Sequence, residues 1–294
     1  MEKTSITSLI NTAIIRGEKE IIAPSGEHDV KKAFICLGGE SVSLVGNGCV
    51  IRGESNVLDV REASDVTLSD FEFISSGDKD FTVRISKSKN VTFDNCRFSS
   101  LTGCIVISDA ENVTIKNCKF YGENTNGICV LNASSVNVIN SDFMLDNGES
   151  ITVVDNKDGI VVSHNNSFKR CYLAIKSVGR NVLKITNNYF LTYAQAIEFD
   201  PSPVGPDSDG VHRADIKYNL FDECCKDAGE ATVVIRGSSS FAHRDITITE
   251  NIFSQKERAV INARGVFNLL FKENNVHTNG ESTVENSIIN GIKA

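Results

Sequence analysis

A nine-residue motif recurs along this chain at a nearly constant interval. Residues 90–98 read Asn-Val-Thr-Phe-Asp-Asn-Cys-Arg-Phe, and residues 112–120 read Asn-Val-Thr-Ile-Lys-Asn-Cys-Lys-Phe. The last apolar residue of each copy marks the repeat, and successive markers are 22 to 32 residues apart: Ile51, Phe73, Phe98, Phe120, Phe143, Phe168, Phe190, Phe221, Phe253 and Val276. A repeat of this size indicates a solenoid, in which one small unit is stacked on itself many times.

The apolar residues inside each unit alternate with polar ones. Val91 and Phe93 lie two apart, and a second alternating run, with Val83 and Ile85, precedes that copy. This period puts every second side chain on the same side of a strand. A unit of two or three short strands cannot bury its own apolar face, whereas stacked units share a continuous core. The pattern therefore predicts an all-β, single-domain parallel β-helix of about ten coils.

This repeat resembles that of the right-handed parallel β-helix superfamily, which includes the pectate lyases, over nearly the whole chain. The resemblance implies right-handed coils and a helix that covers the first coil. Residues 5–15 have apolar side chains at helical spacing and end before Gly17. The apolar positions are Ile6, Leu9, Ile10, Ala13 and Ile14. We expect a cap helix and first strand in 1–22 and the β-helix in 23–294, as one domain overall.

A second column of residues lies two positions before the markers. It contains Cys49, Phe71, Cys96, Cys118, Ser141, Asn166, Asn188, Asn219, Asn251 and Asn274. Stacked asparagine amides form hydrogen-bonded ladders in this architecture, and buried amides need such partners. We therefore interpret the asparagines of this column as structural.

The composition restricts the partners and the location of the protein. The net charge is −8, so an extended basic surface for nucleic acid is not expected. Nine cysteines cannot all pair within the chain, and free buried thiols favour a reducing compartment. The start has no apolar segment of a secretory signal, and no run is long enough to span a membrane. We expect a cytoplasmic protein, or a secreted or virion-associated one if a signal was removed or if it is a phage protein.

One strand face concentrates polar side chains. The outward positions of the first strand of each coil are predicted to be Arg84, Ser86, Ser108, Asn132, Asp155, Lys176, Glu198, Asp200, Arg236 and Asn262. The coils from Asp155 onward carry acids and bases there, and the long loops 201–213 and 222–230 occur in the same coils. Insertions in a solenoid often wall a binding face. We interpret this face as a polysaccharide cleft with these substrate-binding residues: Asp155, Glu198, Asp200, Arg213, Asn262 and Arg264.

Lys176 and Arg236 suggest the chemistry of this cleft. A lysine with a depressed pKa can remove the C5 proton of a uronate, and an arginine binds its carboxylate. The Lys176-Ser and Arg236-Gly pairs resemble pieces of the alginate lyase and chondroitinase B family, which implies β-elimination or C5 epimerisation of an acidic polysaccharide or oligosaccharide. That family often uses calcium, but its acidic ligands are absent from 171–175. His212, which titrates near neutral pH, is the third catalytic candidate.

Two other functions fit the same residues. A glycoside hydrolase uses paired carboxylates, for which Asp155, Glu198 and Asp200 are candidates. A non-catalytic, glycan-binding or structural β-helix of the phage tail or spike type is the other. The final strand after Ser287 has no cap after it in the sequence, and an uncovered edge invites self-association into a homo-oligomer.

Overall fold

The computed structural model describes residues 5–31, 33–37, 41–123, 125–156, 159–202, 210–237, 242–285, 288–289 and 292–293. The helix is α1 (Ile6–Ile15), and the first strands are β1 (Glu20–Ile22), β2 (Gly26–Asp29), β3 (Phe34–Leu37), β4 (Val42–Gly53), β5 (Leu58–Arg61), β6 (Ser64–Ser75), β7 (Phe81–Ser86), β8 (Lys89–Asp94), β9 (Arg97–Ser99), β10 (Gly103–Ser108), β11 (Glu111–Lys116) and β12 (Lys119–Glu123). The middle strands are β13 (Asn126–Leu131), β14 (Ser135–Ile139), β15 (Asp142–Asp146), β16 (Glu149–Val154), β17 (Ile160–His164), β18 (Ser167–Cys171), β19 (Leu173–Val178), β20 (Val182–Thr186), β21 (Tyr189–Thr192), β22 (Ile197–Asp200) and β23 (Arg213–Lys217). The last strands are β24 (Leu220–Asp222), β25 (Ala231–Arg236), β26 (His243–Thr249), β27 (Ile252–Ser254), β28 (Ala259–Arg264), β29 (Val266–Lys272), β30 (Asn275–His277), β31 (Thr283–Glu285), β32 (Ile288–Ile289) and β33 (Ile292–Lys293).

These strands form a right-handed parallel β-helix of about ten coils, as the repeat predicts. Most coils contribute three short strands, and each strand pairs in parallel with its counterpart in the next coil. One strand per coil builds an 11-stranded sheet, here called the front sheet: β3, β5, β7, β10, β13, β16, β19, β22, β25, β28 and β31. The other described strands form a 22-stranded sheet, here called the back sheet, which bends around the rest of the coil.

A column of stacked phenylalanines fills the core. The marker residues pair in register from coil to coil, as in Phe98 with Phe120 and Phe120 with Phe143. Successive rings between Phe73 and Phe253 stack with centroids 4.5 to 5.6 Å apart. Each ring is fully buried, so the column removes a large apolar area from water and fixes the register at the same time.

The asparagine column forms the predicted ladder beside these rings. The backbone N–H of Asn188 donates to Oδ1 of Asn219 at 2.9 Å, and the N–H of Asn219 donates to Oδ1 of Asn251 at 2.9 Å. The Nδ2 of Asn219 donates back to the Ile185 carbonyl at 2.9 Å. Each buried amide therefore bridges consecutive coils and satisfies backbone groups that the turn leaves without strand partners.

The helix α1 begins and ends close to where its sequence predicts. The hydroxyl of Ser5 accepts the N–H of Ser8 at 3.2 Å, which caps the first turn. Ile6, Ile10 and Ala13 are buried in the same core as the coils. Leu9 is predicted to belong to this apolar face, but its side chain is 48% exposed, because it lies at the edge of the face formed by the buried residues. In the described part of the chain, no helix has the length and apolar character that crossing a membrane requires.

The C-terminal end lies partly outside the described residues, including Ser287 and residue 294. The last described strands, β32 and β33, pair antiparallel with each other. Val276, the last marker, is 41% exposed, whereas Phe253 beneath it is buried. Self-association through this end stays a prediction.

We predict that Asn219→Ala lowers the free energy of unfolding by about 2–4 kcal/mol, because it leaves buried backbone groups of Asn188 and Ile185 without partners. Urea unfolding followed by circular dichroism measures the change. Asn137→Ala is the matched control, since Asn137 lies on the partly exposed side of β14 and should change stability by less than about 0.5 kcal/mol. Equal losses in the two variants would contradict a structural ladder.

Candidate functional site

The front sheet aligns side chains from successive coils on its outer face. Lys176 of β19 pairs in register with Glu198 of β22, whose neighbour on β25 is Val234 and then Asn262 on β28. A parallel row, two residues further along each strand, contains Asp200, Arg236 and Arg264. Neighbouring strands of a sheet are about 4.8 Å apart, so these side chains lie within reach of one another.

Arg236 is the centre of this face. Its Nη1 lies 2.8 Å from Oε1 of Glu198 and 3.4 Å from Oδ1 of Asp200. Its Nη2 lies 3.9 Å from Oε1 of Glu230, which comes from the loop before β25. One guanidinium therefore holds three carboxylates, two from the neighbouring strand β22 and one from a loop, and its planar set of donors suits this arrangement.

Lys176 belongs to the same group of charges. Its Nζ donates to Oε1 of Glu149 at 3.1 Å, and the hydroxyl of Thr152 donates to the other oxygen of that carboxylate at 2.8 Å. Six residues, called the charged cluster from here on, are thereby joined by ion pairs or neighbouring charges: Glu149, Lys176, Glu198, Asp200, Glu230 and Arg236.

Glu198 is unusual among these carboxylates because it is only 8% exposed. Burial raises the pKa of Glu198, the guanidinium of Arg236 acts in the opposite direction, and the adjacent Asp200 carboxyl raises it further; the net pKa lies above the usual value. A carboxyl in this environment retains its proton to a higher pH than an exposed glutamate does.

The pKa of Lys176 is also raised. Partial burial alone would lower it, but the carboxylates of Glu149, Glu198 and Asp200 together outweigh that effect. Lys176 is therefore a protonated donor at neutral pH, and the depressed pKa that proton abstraction requires is absent from this arrangement.

A shallow groove continues the cluster toward the C-terminus. It has a volume of about 370 Å³ and is lined in part by Glu230, Arg236, Asn262, Arg264 and Thr283. Within it, Nδ2 of Asn262 donates to Glu230 at 3.0 Å, and the Thr283 hydroxyl donates to Asn262 at 2.6 Å. Amides, hydroxyls and an exposed guanidinium are groups that hydrogen-bond to sugar hydroxyls or acidic substituents.

Three sequence-predicted residues lie elsewhere. Asp155, like Asn132, is in the corner turn after its strand, with a φ of 41°, so it is not part of the outward row as predicted. Its carboxylate instead accepts the N–H of Arg180 at 3.3 Å and the hydroxyl of Ser202 at 3.2 Å. A role of Asp155 in substrate binding stays a prediction.

Arg213 and His212 follow the corner into the back sheet. Arg213 begins β23 and pairs with Asp215 at 3.0 Å, so it does not share the front face as predicted. The N–H of His212 donates to the Asn181 carbonyl at 2.9 Å just before that strand. Most of the preceding loop, residues 203–209, lies outside the described residues. Catalysis by His212 stays a prediction.

Two members of the cluster were missed from the sequence. Glu149 begins β16 and Glu230 ends a loop, so neither occupies the outward position that the two-residue period selects. The density of acids in 222–230 was the available signal for Glu230, since that loop was predicted to wall the face. Among the described residues, no group of three or more His, Cys, Asp or Glu side chains is arranged to hold a metal ion. A role for calcium therefore rests on the family resemblance alone.

The fold and this face define a right-handed β-helix with a polar groove on one sheet. Residues 33–191 match the family model described as "Right handed beta helix region", which covers more than half of the chain. The chain belongs to this family. No curated protein matches the sequence.

Solved structures share the fold at low identity. The catalytic domain of a GH87 alpha-1,3-glucanase, in complex with nigerose, has a TM-score of 0.70 at 15% identity and covers 99% of this chain, which spans 65% of that domain. The A-module of the mannuronan C-5 epimerase AlgE4 from Azotobacter vinelandii has a TM-score of 0.65 at 13% identity, with 95% and 94% covered. The tailspike protein of E. coli bacteriophage HK620, in complex with a pentasaccharide, has a TM-score of 0.58 at 11% identity, with 98% and 63% covered. At these identities the similarity concerns the fold alone.

We predict that Asp200→Asn lowers the pKa of Glu198, because it removes a neighbouring negative charge and leaves the guanidinium of Arg236 in place. Since the folded pKa lies above the unfolded one, the stability that protonated Glu198 contributes is complete at low pH and is lost as the pH rises through the folded pKa. Asp200→Asn should move that loss to lower pH. Carbon-13 NMR titration of glutamate carboxyls measures the pKa, with Glu198→Gln as the assignment variant. Asp215→Asn, on the back sheet, is the control that should leave it unchanged. A Glu198 pKa that is the same with and without Asp200 would refute the coupling.

Proposed function

We propose that this protein hydrolyses a glycosidic bond of an oligosaccharide or polysaccharide bound along the front sheet, with Glu198 as the proton donor. The observation that carries the proposal is a buried carboxyl group on the front sheet, that of Glu198, which lies next to Asp200 and 2.8 Å from Arg236. A general acid of a glycosidase needs a carboxyl that stays protonated when its partner is ionised, and burial with a neighbouring carboxylate provides this.

Glu230 is the proposed partner carboxylate. It approaches Arg236 from the loop side, whereas Glu198 approaches from the sheet. The carboxylate of Glu230 lies 3.9 Å from Nη2 of Arg236, and that of Glu198 lies 2.8 Å from Nη1 of the same guanidinium. Paired carboxylates that hydrolyse glycosides are about 5–9.5 Å apart. Glu230 is exposed, so it is the one placed to activate a water molecule. Asp200 then tunes Glu198, because its charge favours the protonated form of the neighbouring carboxyl.

The groove beyond Arg236 supports the proposal that the ligand is a sugar. Asn262, Thr283 and Arg264 offer donors and acceptors along a line that crosses the strands. The structures with the same fold include a glucanase bound to nigerose, a mannuronan epimerase and a tailspike bound to a pentasaccharide. A glycan that runs along the solenoid axis would meet one row of these side chains per coil, about 4.8 Å apart.

Elimination or C5 epimerisation of an acidic polysaccharide, expected from Lys176 and Arg236, is less well supported. That chemistry needs a neutral base and a cation that is available for the uronate carboxylate. Lys176 is bonded to Glu149 and has a raised pKa, and Arg236 already holds three carboxylates. An acidic substrate would have to displace these carboxylates, which would leave the buried carboxyl of Glu198 without its hydrogen-bond partner Arg236.

We predict that Glu198→Gln lowers the rate of glycan cleavage by about 10²–10⁴-fold, because it removes the transferable proton and preserves the shape of the side chain. The melting temperature should change little, since the amide has the size of the protonated carboxyl and Arg236 retains Asp200. Release of reducing ends from neutral and acidic glycans measures cleavage, and differential scanning calorimetry measures stability.

The control for this experiment is Arg213→Ala, which removes an exposed ion pair on the back sheet and should leave both quantities unchanged. Ultraviolet absorbance by unsaturated uronates, without new reducing ends from neutral glycans, would show that the reaction is elimination and not hydrolysis. Glycan binding without any turnover would show that the protein is a non-catalytic glycan receptor. A Glu198→Gln variant that is strongly destabilised and fully active would reduce the cluster to a structural ion pair.

A further inference from the structure

A buried histidine contacts the backbone of Arg236, the central residue of the charged cluster. His243 opens β26 on the back sheet, and its side chain is completely inaccessible to solvent. Its Nδ1 accepts the N–H of Val211 at 3.1 Å, and its Nε2 lies 3.1 Å from the carbonyl oxygen of Arg236. The imidazole therefore connects Val211, just before β23, to Arg236, the last residue of β25, which carries the guanidinium of the cluster.

These two contacts fix the protonation pattern of the ring. Because Nδ1 accepts a hydrogen bond from a backbone N–H, the proton of the neutral ring is on Nε2, which donates to the Arg236 carbonyl. The ring is also held sterically, since a Cβ on Gly210 would lie 2.6 Å from Nδ1. A glycine at this position leaves the space that the imidazole occupies.

Other coils use a polar residue at the same corner for the same purpose. Ser88 accepts the N–H of Ala63 at 3.1 Å and donates to the Ser86 carbonyl at 2.8 Å. Asn181 accepts the N–H of Asn156 at 2.8 Å and donates to the Val178 carbonyl at 2.9 Å. In each case the side chain joins the preceding coil to the last residue of a front-sheet strand.

The corner at His243 differs from the other two because the last residue of its front-sheet strand belongs to the charged cluster. Ser86 and Val178 end their strands outside the charged cluster, whereas Arg236 ends β25 and binds Glu198, Asp200 and Glu230. The corner contact is thus part of the general architecture in two coils. In the third coil, the contact is made to the backbone carbonyl of Arg236, the residue whose side chain organises the site.

We propose that His243 is a positioning residue, which holds the backbone of Arg236 so that the guanidinium stays against Glu198 and Glu230. The proposal rests on the function proposed above for its catalytic consequence, but the positioning itself is independent of any substrate. Loss of the contact frees the end of β25, and the guanidinium then spends less time against the Glu198 carboxylate. A small displacement of a group that organises a reacting carboxyl is enough to slow catalysis strongly.

The test compares two residues of the same corner column. In His243→Ala, the pKa of Glu198, measured by NMR without substrate, should rise by about 0.5 unit or more, because Arg236 is the group that opposes its increase. The kcat for glycan cleavage should fall by about 10- to 100-fold. In Asn181→Ala, the melting temperature should fall about as much as in His243→Ala. The pKa of Glu198 and the kcat should stay at the wild-type values.

His243→Asn provides the rescue, since Asn181 shows that an amide makes both contacts at this corner. It should restore the Glu198 pKa and most of the kcat. If His243→Ala does not fold, Gly210→Ala displaces the imidazole without deleting it and should give the same pKa shift. A folded His243→Ala or Gly210→Ala protein with an unchanged Glu198 pKa would overturn the proposal. A shifted pKa in a protein that cleaves no glycan would support the positioning and reject the hydrolysis.

Discussion

The structure depends on the repetition of strand register from one coil to the next. Stacked phenylalanine rings and bridging asparagine amides both require a partner at the same position of the neighbouring coil. Apolar burial supplies most of the driving force, but it has no direction along the stack. The amides supply direction, because an asparagine displaced by one residue would leave buried backbone groups of two coils without hydrogen bonds. The inner residues therefore fix the strand register, and the same register aligns the side chains on the outer face.

The charged cluster is a consequence of this alignment of outward side chains. A single exposed ion pair is worth little, since side-chain entropy and solvent oppose it. Here, successive strands place carboxylates and cations within a few ångströms of one another. Glu198 is buried by these neighbouring side chains rather than by a deep pocket. The front sheet is rigid because its inner side is the core. Glu198 is consequently held at hydrogen-bonding distance from Arg236, whereas Glu230 comes from a loop and is more exposed, so the two carboxylates have different environments.

The sequence predicts the parts of this arrangement that follow a period. The markers, the asparagine column and α1 are confirmed, because each depends on a spacing that a single chain displays. Lys176, Glu198 and Arg236 were placed on one face for the same reason. Asp155 was misplaced because the strand ends one residue before it, and the corner backbone turns its side chain toward Ser202. Glu149, Glu230 and His243 were missed because they lie at strand ends or in a loop, where no period applies. Ion-pair partners determine the protonation of Lys176, and these partners become visible only in three dimensions.

The corner turns have a consequence for how such a chain can change in length. In most of the described coils, the strands pair in the same register with those of the next coil, and neighbours contact one another through the same columns of side chains. Duplication or loss of one whole coil therefore preserves all of those contacts, whereas a change of one or two residues disrupts them. Growth by gene-level duplication of entire coils would lengthen the groove in steps of one strand spacing, and each step would add another place for a ligand without disturbing the chemistry already present.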